Sequence, residues 1–130
     1  MFVESIMVVE DENIIALDIK NRLKKLGFKI PAVVASGEDA IRLAGEIKPD
    51  LVLMDILLKG KLDGVEAARA IRTKNDIPVI FLSSFSDEST CREANQASPY
   101  GYLIKPFNEK ELKAKIDNIS RRQSTVLQPG

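Results

Sequence analysis

Five times along the chain a short apolar run gives way to a longer amphipathic segment, and few folds accommodate that alternation. The runs fall at residues 5–9, 30–35, 51–54, 78–82 and 101–104, and the third and fourth are nearly all Val, Ile, Leu or Phe. Strands without a polar side need a sheet covered on both faces, and such sheets are parallel, with helices supplying the cover. The intervening segments support this. Ile15, Ile19, Leu23 and Leu26 recur at helical spacing, Gly27 follows as a stop, and Ser36 or Gly37 can open a second helix running through Ile47. Residues 63–72 and 108–120 also read as helices, the latter opened by Asn108 with Glu111 three positions on. Residues 86–97 complete the alternation as a helix of weak apolar periodicity. The expectation is one α/β domain, a doubly wound (βα)5 unit with a parallel five-stranded sheet over residues 1–122, and a disordered tail at 123–130.

Composition narrows the chemistry. Nineteen basic residues balance nineteen acidic ones, so no net field draws the chain to nucleic acid or to an anionic membrane. The single cysteine, Cys91, cannot close an internal disulfide, and no apolar stretch is long enough to span a bilayer or is laid out as a secretory signal. A cytoplasmic protein is expected. The absence of histidine removes Ser-His-Asp and Cys-His catalysis and every His-ligated metal. Carboxylates, hydroxyls and lysine remain.

Those residue types collect at one place in the expected fold. Glu10 and Asp11 follow the first strand, Asp55 ends the third, Ser83 and Ser84 end the fourth, and Lys105 ends the fifth. In open parallel sheets ligands bind outside the carboxyl ends of the strands. Three carboxylates gathered there repel one another unless a hard cation with oxygen ligands neutralises them, and Mg²⁺ suits a few carboxylates plus phosphate oxygens. A lysine and a hydroxyl beside such an ion make a clamp for a phosphoryl group, and Asp55, at the end of a buried central strand, is the candidate nucleophile. Ile14 and Leu17 lie off the apolar stripe of the first helix, next to the acidic pocket; they suit either a partner's helix or a widened core stripe.

The chain resembles the receiver domain of two-component response regulators, the CheY-like superfamily, from Ile6 to about Ile119. VVEDE is similar to the acidic pair after the first strand, DLVLMDILL to the phospho-acceptor strand, DGVEAAR to the start of the third helix, PVIFLSS to the fourth strand with its switch hydroxyl, and GYLIKPF to the fifth strand with its Lys-Pro bond. The resemblance implies a phospho-accepting switch in a phosphorelay. Asp55 would take phosphate from the phosphohistidine of a sensor histidine kinase or phosphotransfer protein. Asp11, Asp55 and the Leu57 carbonyl would hold Mg²⁺, with Glu10 acting on it through water. Ser83 and Lys105 would bind the phosphoryl oxygens, and Tyr102 would be the aromatic that turns inward on activation. The response would appear on the face from the fourth strand to the fifth helix, toward an unknown downstream protein or a homodimer formed on activation. The resemblance further implies sheet order 2-1-3-4-5, a cis Lys105–Pro106 bond, and tuning of dephosphorylation by Leu57 and Phe85. Such a domain is no enzyme beyond its own phosphorylation and slow self-dephosphorylation. Two departures stand out: ILLKGKLD between Asp55 and Gly64 is one residue longer than the commonest loop and lacks its proline, and the switch residue is Ser83 where threonine is commoner.

Competing classes fit less well. A haloacid-dehalogenase-like phosphatase wants a second aspartate two residues after the nucleophile, where this chain has Leu57. A flavodoxin-like cofactor binder needs a hydroxyl- and glycine-rich loop after the first strand, and EDEN would repel phosphate. A receiver-like scaffold without phosphorylation would not need every reactive position filled.

Overall fold

All four residues of the first strand, and the first four of the third, are buried, and they pair with each other at the centre of the sheet. The computed structural model describes residues 3–58, 62–84 and 101–127. In chain order the elements are β1 (Ile6–Val9), α1 (Asn13–Lys25), β2 (Val33–Val34), α2 (Gly37–Ile47), β3 (Leu51–Asp55), α3 (Gly64–Asn75), β4 (Val79–Ser84), β5 (Gly101–Lys105) and α4 (Glu109–Leu127). The sheet is parallel throughout and ordered β2-β1-β3-β4-β5, the doubly wound arrangement expected. The helix expected at residues 86–97 lies outside the described residues, so the last helix is α4 here.

Alternation along each strand sorts the core into two layers. Met7, Val9, Val52, Met54, Val79 and Phe81 face α2 and α3, where Ala40, Ala44, Val65 and Ile71 meet them. Ile6, Val8, Leu51, Leu53, Ile80 and Leu82 face the other way, against Ile19 and Leu23 of α1 and Leu112, Ile116 and Ile119 of α4. Burying each such side chain stabilises the fold by roughly 1.5–3 kcal/mol, so a polar residue placed among them is costly unless paired.

Helix ends follow local chemistry. The Ser36 hydroxyl accepts the Asp39 N–H at 3.2 Å, the Asp63 carboxylate accepts the Glu66 N–H at 2.8 Å, and the Asn108 amide oxygen accepts the Glu111 N–H at 2.8 Å. Gly27 closes α1 at φ 97°, a conformation that favours glycine. The Lys105–Pro106 bond is cis.

Three boundaries differ from expectation. β2 spans two residues instead of residues 30–35, because Pro31 has no N–H for a ladder and the strand lies at the sheet's edge; isolated bonds from Ile6 N–H to the Lys29 carbonyl and Val8 N–H to the Ala32 carbonyl replace a continuous ladder. α3 runs past Arg72 to Asn75 and stops at Asp76, which turns left-handed at φ 52°. α4 continues to Leu127, so residues 123–127, expected in a disordered tail, are helical; no glycine or proline precedes Pro129 to stop the helix earlier.

Candidate functional site

The side-chain parity that builds the core also aims the site. Continuing the alternation one step past the buried strands, Glu10 falls in line with Ile6 and Val8, Asp55 with Leu51 and Leu53, and Lys105 with Leu103, all on the α1/α4 side of the sheet's carboxyl edge. Glu10 and Asp55 come from neighbouring strands. Lys105 lies two strands from Asp55, about 10 Å of sheet at ordinary strand spacing, and its long stem crosses β4 to meet them. Its Nζ lies 3.1 Å from Glu10 Oε2 and 3.4 Å from Asp55 Oδ2.

Glu10, Asp11 and Asp55 each offer a carboxylate oxygen, and these oxygens lie within 4.8 Å of one another. Glu10 has a side chain with no exposed surface, while those of Asp55 and Lys105 are 13% and 25% exposed. Burial pushes the Glu10 carboxyl up to about 7, and the negative charge of Asp55 adds to the shift against the lowering effect of Lys105. Burial pulls the Lys105 ammonium down, but the charges and hydrogen bonds of Asp55 and Glu10 outweigh it and hold the group above its ordinary value. One ammonium thus stands among three acids, an imbalance that a hard divalent cation relieves with the oxygen ligands it prefers. The donor set fits such an ion.

Main-chain groups orient the acids. The Leu57 N–H donates to Asp55 Oδ1 at 3.0 Å and the Glu12 N–H to Glu10 Oε1 at 3.2 Å. Glu10 thereby serves the entry to α1 as well, although no side chain caps that helix. The Leu57 side chain stands half exposed beside the pocket. Ser83 follows Leu82, the residue paired with Asp55 across β3 and β4, and is buried. Tyr102 pairs with Phe81, their ring centroids 6.1 Å apart with a 32° tilt, and it packs half-buried against the α2/α3 layer. Phe85 lies outside the described residues. Ile14 and Leu17 are 85% and 57% exposed, so they belong to no widened core stripe.

Two residues carry site functions the sequence reading did not assign. Gly64, read only as part of the start of the third helix, packs so closely on the main chain after Asp55 that a Cβ there would overlap the Asp55 and Ile56 carbonyl oxygens. A glycine at the first position of a helix, where its flexibility is otherwise a liability, was the available signal. Glu38, in the first turn of α2, accepts the Leu62 N–H at 3.0 Å and anchors the far side of the long loop after β3. A single acidic residue in a helix's first turn carries no sequence mark of that contact.

Comparisons with known proteins point to one family. The response regulator receiver domain family matches residues 6–117. The transcriptional regulatory protein PdtaR of Mycobacterium tuberculosis is 34% identical over 125 residues, 95% of this chain but 60% of that protein; the chain spans about half the length of several other regulators it matches. Among solved structures, the signal receiver domain of a modulated diguanylate cyclase from Desulfovibrio desulfuricans superposes with a TM-score of 0.88 at 32% identity, covering 97% of this chain and 99% of that one. The receiver domain of a Pseudomonas aeruginosa sensor histidine kinase, which holds a magnesium ion coordinated in its active site cleft, superposes at 0.81 with 33% identity, covering 89% and 96%.

Proposed function

The chain belongs to the response regulator receiver domain family, and from that premise we propose that Asp55 is the phospho-acceptor of this signalling domain. The observation that carries the reading is the convergence of Glu10, Asp11, Asp55 and Lys105 from three strand ends, within salt-bridge or ligand distance of one another. An Asp55 carboxylate oxygen attacks the phosphorus of a phosphohistidine on a histidine kinase or phosphotransfer protein; the P–N bond breaks, the imidazole leaves with the electron pair and takes up a proton, and an acyl phosphate remains on Asp55. Asp11, Asp55 and the Leu57 carbonyl would hold Mg²⁺, with Glu10 contributing through water. When bound, the ion supplies positive charge against the carboxylates and the phosphoryl oxygens. Lys105 leaves its pairing with Asp55 for the phosphoryl oxygens, and the Ser83 hydroxyl donates to them, which couples β4 and β5 to the state of Asp55. Tyr102, on β5 with Lys105 and beside the strand that carries Ser83, turns inward as Ser83 moves.

The exposed Ile14 and Leu17 suit an apolar face of the donor beside the pocket. Among the described residues no helix is long and apolar enough to cross a membrane, and a cytoplasmic donor is the partner we assign. An output in transcription, by analogy with PdtaR, concerns chain beyond the matched domain.

The test is phosphate incorporation from acetyl phosphate with Mg²⁺, for the wild type and Asp55→Asn. The wild type is expected to form an acid-stable, hydroxylamine-sensitive acyl phosphate. The variant, whose amide has no nucleophilic oxygen anion, is expected to form none. Equal incorporation in both sinks the assignment.

A further inference from the structure

The ammonium of Lys105 sits at the end of a flexible four-carbon stem, and its two contacts in the acidic cluster depend on where the main chain sets the start of that stem. On one side the ladder to β4 holds it, with Lys105 opposite Ser84. β5 is the outermost strand of the sheet, and immediately after Lys105 comes Pro106, which has no N–H to donate. The turn leading into α4 therefore needs an anchor from outside the ladder.

Arg22 supplies one. Its Nη1 donates to the main-chain carbonyl of Phe107, two residues past Lys105 and 85 away in sequence, at 3.3 Å. Its Nε donates to Asp18 Oδ2, one turn earlier on α1, at 3.0 Å, so the guanidinium plane is set by a neighbour before it reaches across. The contact is partly buried, and the Phe107 side chain packs on the same layer as Ile19 and Leu23 of α1. The Lys25–Glu109 pair further along is longer, at 3.8 Å, and exposed; it ties the helices but not the turn.

We propose that Arg22 is a positioning residue for phosphoryl uptake: held by Asp18, it fixes the turn after β5 against α1, and so fixes the reach of Lys105 to the acceptor site. The inference rests on the reading of Asp55 and Lys105 given above, and its effect must pass through Lys105.

Initial rates of phosphate uptake from acetyl phosphate at saturating Mg²⁺ test it in wild type, Arg22→Ala, Arg22→Lys, Lys105→Ala and the Arg22→Ala/Lys105→Ala double variant. Arg22→Ala is expected to slow uptake about fivefold, the scale of one ordinary hydrogen bond. Arg22→Lys, which keeps a cationic donor for the Phe107 carbonyl and loses only the fork, is expected to recover most of that loss. In the Lys105→Ala background, Arg22→Ala is expected to cost nothing more, because the group it positions is gone. A general loosening of the fold would slow both backgrounds alike. Equal slowing in both, no slowing by Arg22→Ala, or no recovery in Arg22→Lys overturns the proposal. Should Arg22→Ala not fold, Arg22→Gln replaces it in both backgrounds under the same criteria. If Lys105→Ala slows uptake while Arg22→Ala does not, only this inference falls; if the wild type takes up no phosphate, the acceptor reading falls and this one with it.

Discussion

Asp50 and Asp55 bracket the same buried strand, and the structure treats their carboxylates in opposite ways. At the amino end, Asp50 Oδ2 accepts the N–H groups of Glu4 and Ser5 at 2.9 and 3.1 Å, while the Asp50 N–H donates back to the Ser5 carbonyl at 3.0 Å. The acid is consumed in holding β3 in register with β1, by neutral main-chain donors at the start of the first strand. At the carboxyl end, Asp55 accepts the Leu57 N–H and shares its lysine with Glu10, among carboxylates that repel it. A satisfied acid is structural; an acid kept short of counter-charge is available for a cation or an electrophile. Identical side chains with four strand residues between them acquire different work from their donors.

Paired substitutions separate the roles of the two acids most directly. Asp55→Asn should reduce phosphate uptake by at least about a thousandfold, ~4 kcal/mol of barrier, with the urea midpoint little changed. Asp50→Ala should do the reverse. Two N–H groups lose their acceptor, at about 1 kcal/mol each, so urea unfolding should show a loss of about 2 kcal/mol, while uptake by the folded fraction stays within about twofold of wild type. A large uptake defect in Asp50→Ala would mean that the two ends of β3 are not independent.

The two ends were unequally legible beforehand. The strands buried on both faces, β1, β3 and β4, announce themselves as unbroken apolar runs, since that is what a covered parallel strand requires. β2 does not, because an edge strand beside Pro31 holds only Val33 and Val34 in the ladder and apolar composition overstates it. Glu10, Asp11, Asp55 and Lys105 could be singled out as polar residues at strand ends, but periodicity contains no strand order; that came from the family resemblance. The depth at which Glu10 is buried, the bond from Arg22 to Phe107 and the fit of Gly64 against the end of β3 depend on packing between distant segments, which no local pattern encodes. Asp50 was missed for the same reason: before its partners are known, an acid before a strand reads as a loop residue.

A smaller effect sharpens what the reactive end lacks. Leu57 flanks Asp55 with a half-exposed apolar side chain, which cannot hydrogen-bond and orient a water for attack on the acyl phosphate. Slow self-dephosphorylation is expected, and Leu57→Asn should shorten the phosphate lifetime by about tenfold, ~1.4 kcal/mol of barrier. Loss of phosphate within seconds in the wild type, or an unchanged lifetime in the variant, would remove Leu57 from the access path.

The smallest effect concerns acidity, and its sign follows from Glu10. In the folded protein burial and the Asp55 charge raise this carboxyl from 4.5 to about 7, so between those values the folded chain holds a proton that the unfolded chain has released. Without a metal, the contribution of Glu10 to stability is fully present below about pH 4.5 and is lost as the pH rises through 7. A divalent cation in the cluster favours the ionised carboxylate and competes with that proton. Mg²⁺ affinity should therefore fall as the solution is acidified, by about fivefold between pH 8 and pH 6, less than the tenfold limit for a direct ligand, since the role proposed for Glu10 is through water. Asp50 has no part in this equilibrium, so Asp50→Ala should leave the pH profile in place, whereas Glu10→Gln should flatten it while leaving weaker binding at every pH. Isothermal titrations of Mg²⁺ into the three proteins across that range decide the matter: a profile that persists in Glu10→Gln would assign the proton to another member of the cluster and leave Glu10 a purely structural partner of Lys105.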